Sequence, residues 1–384
     1  MKFIFFVLLI VSCERKNLNQ ASTESALIGR IFYNTKGYDY GKLISGLTNN
    51  VVLPSFAELQ TNSENLNRVA LAFDSSQTLT NLQNLRTAYN TFKDSIERVE
   101  VYGFNTTNIS VNLFTNLDMY PSFSLDTAKL ESEEINSVVT INLSRVQNNT
   151  ISKRTVMALE YLLYDNGLDN SDINLNFTTL QANPRRIQYI LGLTGDLQIR
   201  AKNFNDTWKN SFVTEYQTGT NSFSSLNDVL GKQVNFMNDM LTSFIDNKIG
   251  DPAGLSAKSR GIIDLNKLES RFSNRSLEDI QVNFESVKNL YFGTFRNNTE
   301  VVGITDLVKS VNPRLDVKLR DQFSTIDSQI SSMKQQGILR QAIQSRFSSV
   351  QTLHTSFRNL RIIFQNELFS SLGTNFQIGN ADGD

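Results

Sequence analysis

The chain has 384 residues, with 37 Lys plus Arg against 38 Asp plus Glu and a formal net charge of −1. That balance, with no basic face carrying interleaved aromatics, gives no electrostatic case for nucleic acid. One histidine and one cysteine exclude an HExxH zinc helix, a paired-histidine iron site, an intramolecular disulfide and any Cys-rich cluster.

The first element is a leader. MKFIFFVLLIVSC has one Lys, an unbroken apolar run from Phe3 to Val11, then Ser12 and Cys13. An apolar core of about ten residues is half of what spans a bilayer and has the proportions of a signal-peptide core. Ile10, Val11, Ser12 and Cys13 fit a bacterial lipobox, in which a small residue precedes the cysteine that takes the lipid. The expectation is a lipoprotein signal peptide over 1–12, lipidation at Cys13 and a polar tether over 13–30. Loss of the leader removes only Lys2, which moves the net charge to −2. The membrane, reached through Cys13, is the expected partner. The expected location is the bacterial cell envelope: outer membrane, facing the periplasm or the surface.

Helical periodicity then recurs along the chain. From Leu43 to Phe73 apolar residues return at threes and fours, with Pro54 as a kink. A second helix is expected from Leu79 to Val101, and residues 103–150, rich in Asn, Thr and Ser, read as an irregular excursion with one helical piece near 128–139. "KRTVMALEYLLYDN" at 153–166 is an apolar helix interrupted by one carboxylate, Glu160, and a polar loop follows it. Pro184 opens a long helix to Trp208; further helices are expected over about 225–249, 277–291, 315–333 and 339–372. Ser276 with Asp279 three residues on reads as an N-cap box. Strand-like alternation is absent from the sequence, so the expected class is all-α, two antiparallel helical bundles spanning 31–215 and 216–384. With Ala and Glu scarce, helix propensity is modest and packing must supply most of the stability.

Much catalytic chemistry is excluded. Neither a P-loop, nor G-x-G-x-x-G, nor a G-x-S-x-G nucleophile turn occurs. His354 flanks the apolar seam Val350, Leu353, Phe357, Leu360 and Phe364, and a boundary or surface position is expected for it.

Six segments in order give the chain a likeness. "NNVVLPSFAELQ" at 49–60, "MALEYLLYDN" at 157–166, "RRIQYILGLTGDLQIRAKNFNDTW" at 185–208, "SLNDVLGKQVNFMNDMLTSFIDNKIGDPAG" at 225–254, "ESRFSNRSLEDIQVNFESVKNLYFG" at 269–293 and "FQIGNADGD" at 376–384 resemble the imelysin-like family. Its members are bacterial envelope proteins associated with iron uptake, the first described as a peptidase. The resemblance implies two helical bundles with a site between them, and iron or haem as the cargo. It departs at one point. The family's Gly-x-His-x-x-Glu motif aligns with Thr155, Met157 and Glu160, so the glutamate remains and a methionine replaces the histidine. A thioether is neutral and soft and does not replace imidazole on zinc or ferric iron.

Glu160 is therefore the best candidate for a metal ligand or site residue. The other ligand-binding candidates are Met157 beside it, Arg185 and Arg186 at a helix start where the dipole does not help basic side chains, so that they read as facing an anionic partner or a loop carboxylate, or equally as an exposed pair, and Glu269, Ser273, Arg275 and Ser276 in "ESRFSNRS". The other reading of Glu160 pairs it with Arg185, Arg186 or Arg271 as a strut. Tyr161 and Tyr164 read as core or as iron partners, and Asp382 and Asp384 as a free acidic end or a cation chelate. The resulting expectation is a non-catalytic, membrane-anchored binding component of iron or haem uptake, working with an envelope transport partner. The alternatives are a metallopeptidase-like hydrolase and an adaptor that docks an envelope protein.

Overall fold

The computed structural model describes residues 38–102, 117–118, 125–164, 172–296 and 302–374. Among them there is no strand, and the fold is all-α as expected. Cys13, the tether and the tail with Asp382 and Asp384 lie outside the described residues, and no described helix is long and apolar enough to cross a membrane.

Helix α1 (Tyr40–Leu47) runs through a wide turn, Thr48–Val52, into α2 (Leu53–Ser75). The wide turn stands directly before Pro54: the Leu53 N–H bonds back to Thr48 O, five residues away, so the irregularity expected at the proline takes the form of a π-turn. Thr78 caps α3 (Leu79–Val99) by accepting the Asn81 N–H at 3.1 Å. Leu82, Leu85, Tyr89, Phe92, Ile96 and Val99 form its buried stripe.

The short helix α4 (Val156–Tyr164) is the apolar segment of the sequence. Next comes α5 (Ile173–Ala182), where the sequence reads as loop. Its Asn and Thr content weakens intrinsic propensity. Buried Leu180, and buried Asn176 taking a hydrogen bond from Arg86 at 2.7 Å, supply what propensity does not. Pro184 begins α6 (Pro184–Thr207), which leads into a further π-turn, Trp208–Phe212. Trp208 is fully buried and stacks on Phe56 at 4.9 Å, locking α6 against α2. Gly192 on α6 makes room for Val146: a Cβ there would lie 2.5 Å from Val146 Cγ2.

The later elements are α7 (Leu226–Ser243) with its π-turn Phe244–Lys248, α8 (Ser276–Phe292), α9 (Ile304–Val311), α10 (Pro313–Gln336) and α11 (Phe347–Ile363). The expected single helix over 339–372 is broken. Arg346 leaves helical geometry and its Nη1 donates to Gln336 O at 2.5 Å, closing the end of α10. The Ser276 cap is also corrected: Arg275 occupies the cap position with no side-chain bond, and Ser276 lies inside the first turn of α8. His354, expected at the boundary, is 6 % exposed, and its Nε2 lies 3.0 Å from Ile245 O. Helix α3 packs on α2 and also on α8, and this second contact joins the two halves of the sequence.

Candidate functional site

Where α3, α4 and α8 converge, the structure buries an unusual number of charges. Glu160 on α4 is 2 % exposed. Its partner is a serine, not an arginine: Oε1 accepts the Ser273 N–H at 2.9 Å and the Ser273 hydroxyl at 2.6 Å. Asn274, in the left-handed region at φ 59°, turns the loop that presents both donors. Phe272 packs edge-on against Tyr161 at 5.4 Å and fixes the loop from the other side. Burial, opposed by the two Ser273 bonds, pushes Glu160 up to about 7.

A second cluster lies along α3. Lys93 Nζ pairs with Glu97, with Asp118 and with Glu269 Oε1 at 3.0 Å. Lys248 Nζ, at the end of the π-turn after α7, reaches Glu97 Oε2 at 3.0 Å, Glu100 Oε2 at 3.2 Å and Glu269 Oε2 at 2.7 Å. From α8, Asn283 donates to Glu97 O and Glu100 Oε2, each at 2.7 Å. Arg275 binds Asp279 at 3.0 Å and also Asp94, while Ser270 holds the other Asp279 oxygen. Tyr89 lies in the field of both groups: burial first, then the charge of Glu160, holds its hydroxyl well above the usual range.

Six buried carboxylates, Glu97, Glu100, Asp118, Glu160, Glu269 and Asp279, thus face three buried cations, Lys93, Lys248 and Arg275. The imbalance separates their titrations. Burial disfavours charge on Glu97, but Lys248 and Lys93 outweigh it and hold the group at about 2. Glu100 is pushed well above the carboxylate range by burial and by the charge of Glu97, and Glu269 rises for the same two reasons. Asp279 rises to about 7, mainly through burial. Both lysines, despite burial, are held firmly protonated by the carboxylates around them.

The structure therefore joins Glu160 to Ser273, and places Glu269 and Arg275 in the adjoining ionic network. Ser276 is buried in the first turn of α8. Met157 is half-buried against the core. Arg185 and Arg186 serve another segment: Arg185 donates to the carbonyls of Glu134, Ile135 and Val139, and Arg186 pairs with Glu131 at 2.6 Å. Arg271 donates to Asn266 O. Tyr161 donates to Glu131 and Tyr164 to Asn90; both rings are buried, as core residues are. Sequence reasoning missed Lys93, Glu97, Glu100, Asp118, Lys248 and Asp279. The spacing of Lys93, Glu97 and Glu100 was the available signal, but it equally suits a solvated salt-bridge face.

Can the site hold a bare metal ion? Oxygens of Glu97, Glu100, Asp118 and Glu269 lie within 4.8 Å of one another, a donor set suited to a hard cation. The ammonium groups of Lys93 and Lys248 already bridge those oxygens. No imidazole stands by Glu160, since the one histidine is committed to Ile245 O. As arranged, these residues do not fit a bare ion.

An all-helical chain with a carboxylate-rich seam between its halves defines the class, and the comparisons define the family. The profile described as Imelysin matches residues 52–359, and the chain belongs to that family. A Parabacteroides distasonis structure designated iron-regulated protein A precursor has TM-score 0.68 at 16% identity, covering 87% of this chain and 95% of that one. An imelysin-like protein from Psychrobacter arcticum has TM-score 0.68 at 15% identity, covering 90% of this chain and 99% of that one. At such identity the likeness concerns the fold. No curated protein matches the chain.

Proposed function

We propose that this is a lipid-anchored protein of the bacterial cell envelope, a non-catalytic binding component of iron or haem acquisition whose site lies at the seam around Glu160. The lipobox at Cys13, the family and the name of the Parabacteroides relative support the setting. The observation that carries the binding reading is the contact of Glu160 with Ser273, a buried carboxylate of the N-terminal half held by a loop of the C-terminal half. A ligand that parted the two would meet a carboxylate poised near neutrality. The lysine-filled cluster behind it favours iron that carries its own ligands over a bare ion.

One observation favours a hydrolase: the Ser273 hydroxyl donates to Glu160, as a nucleophile donates to its base. The same oxygen also takes the Ser273 N–H, Glu160 is closed off from solvent, and among the described residues no third group hydrogen-bonds to the pair to orient it, so binding is the better reading. The test is calorimetric titration of the full chain, in detergent, with ferric and ferrous iron, zinc, calcium and haem, repeated with Glu160→Gln. Saturable binding of iron or haem that the substitution abolishes is expected. If nothing binds and the variant changes only in stability, the adaptor takes the place of the binding reading.

A further inference from the structure

A cavity of about 510 Å³ lies beyond the ionic seam, lined by Arg98 of α3, by α8 from Glu285 to Phe292 and by Arg320, Phe323 and Asp327 of α10. Its volume falls in the range of small-molecule sites. The cations on its walls are Arg98, Lys288, Arg296 and Arg320; the carboxylates are Glu285 and Asp327. Lys288 is matched by Asp327, with both carboxylate oxygens within 2.7 Å of Nζ. Arg320 is held by Asp316 at 2.9 Å and Thr305 at 2.7 Å, and its guanidinium lies 4.7 Å from the centre of the Phe292 ring. Phe292 and Phe323 meet edge-to-face at 5.7 Å and give the cavity an aromatic wall.

Arg98 is the group these contacts do not account for. It is 5 % exposed, yet among the described residues its hydrogen bonding amounts to one donation, from Nη1 to Asp94 O at 3.2 Å. The nearest carboxylate, Glu58, stands 3.7 Å away and its other oxygen is taken by Arg296. A guanidinium offers five donors in a planar fork matched to two oxygens of one anion. A buried arginine with most of that fork unspent, opening on a cavity with an aromatic wall, is built like an anion receptor.

We propose that this cavity binds a small organic oxyanion, a carboxylate or phosphate head on a flat apolar body. The head engages Arg98, with Arg296 at the rim; the body lies along Phe292 and Phe323. The proposal stands apart from the uptake reading and needs neither iron nor Glu160.

The test is calorimetric titration of the full chain with benzoate, inorganic phosphate and neutral benzamide. Saturable benzoate binding is expected, weakened about tenfold or more by Arg98→Met, because a charge-assisted bidentate contact is lost. Arg296→Met, at an exposed position, lowers affinity by about two- to threefold. Phosphate binding with the same dependence on Arg98 keeps the proposal and assigns the head to a phosphate. Failure of both anions to bind, equal binding of benzamide, or unchanged affinity in a folded Arg98→Met protein overturns it. Should Arg98→Met not fold, unchanged affinity in Arg296→Met does so instead.

Discussion

Lys93 and Lys248 grip opposite oxygens of a single carboxylate, Glu269, at 3.0 and 2.7 Å. They approach from helices far apart in sequence and share Glu97 in the same way. Two ammonium groups thereby fill a pocket of four carboxylates that would otherwise call for a metal ion.

Removing one of them tests that role. Lys248→Met leaves Glu97, Glu100 and Glu269 short of a buried counter-charge, and breaking such a pair costs about 3–5 kcal/mol. The urea midpoint at pH 8 is expected to fall accordingly. Calcium should restore part of the loss in the variant, where the oxygen set is open, and leave the wild type unmoved. An equal calcium response in both proteins would contradict the filling of the site by lysine.

Glu160 makes stability depend on pH in a defined direction. Its folded pKa of about 7 lies above the ordinary 4.5, so the folded state holds this proton more tightly than the unfolded state. Its contribution is full below the unfolded pKa and fades as pH rises through about 7. Glu160→Gln removes that loss and keeps an acceptor for Ser273. At pH 8 the variant is expected to be more stable than the wild type by on the order of 3 kcal/mol, and at pH 4 nearly equal to it. Asp279, raised in the same direction, leaves a residual slope in denaturation curves of the variant.

Ser273→Ala takes one of two donors from the buried carboxylate. The expected cost is about 1–3 kcal/mol at pH 8, smaller at pH 5 where Glu160 carries its proton. The Glu160 titration, followed by carboxyl infrared bands, should move upward. A downward or absent movement would mean that the hydroxyl is not what steadies the ionised form.

Gly192 is an independent packing test. Its substitution by Ala drives a methyl into Val146 Cγ2, with Asn142 O 3.5 Å away. Overpacking of this kind costs about 1–3 kcal/mol. Thermal melts should show the loss, and a second change, Val146→Ala, should recover part of it.

The helices with regular apolar stripes were legible from the sequence. Leu82 to Val99 repeat at threes and fours, and Pro184 marks its helix start. Helix α5 was not, because Asn and Thr conceal a helix held by its neighbours, and the break at Arg346 depends on a contact with Gln336. Glu160 and Ser273 were both named from motif and loop, and the structure joins them directly. The ionic seam was hidden for a physical reason. Local spacing cannot tell a buried Lys93 with Glu97 from the same pair in water, and Asp118, Lys248 and Glu269 reach it only through tertiary folding.

The π-turn Phe244–Lys248, closed by the Ile249 N–H on Phe244 O at 3.1 Å, holds one residue more than an α-turn requires. Each residue of an α-helix advances the chain by about 100° around its axis. Deleting any one of the four residues Phe244 to Asn247 would tighten the turn and swing Lys248 by roughly that angle, aiming its ammonium away from Glu97, Glu100 and Glu269. The azimuth of one side chain, and with it the counter-charge it brings to the seam, is thus set by a single surplus residue at the end of a helix.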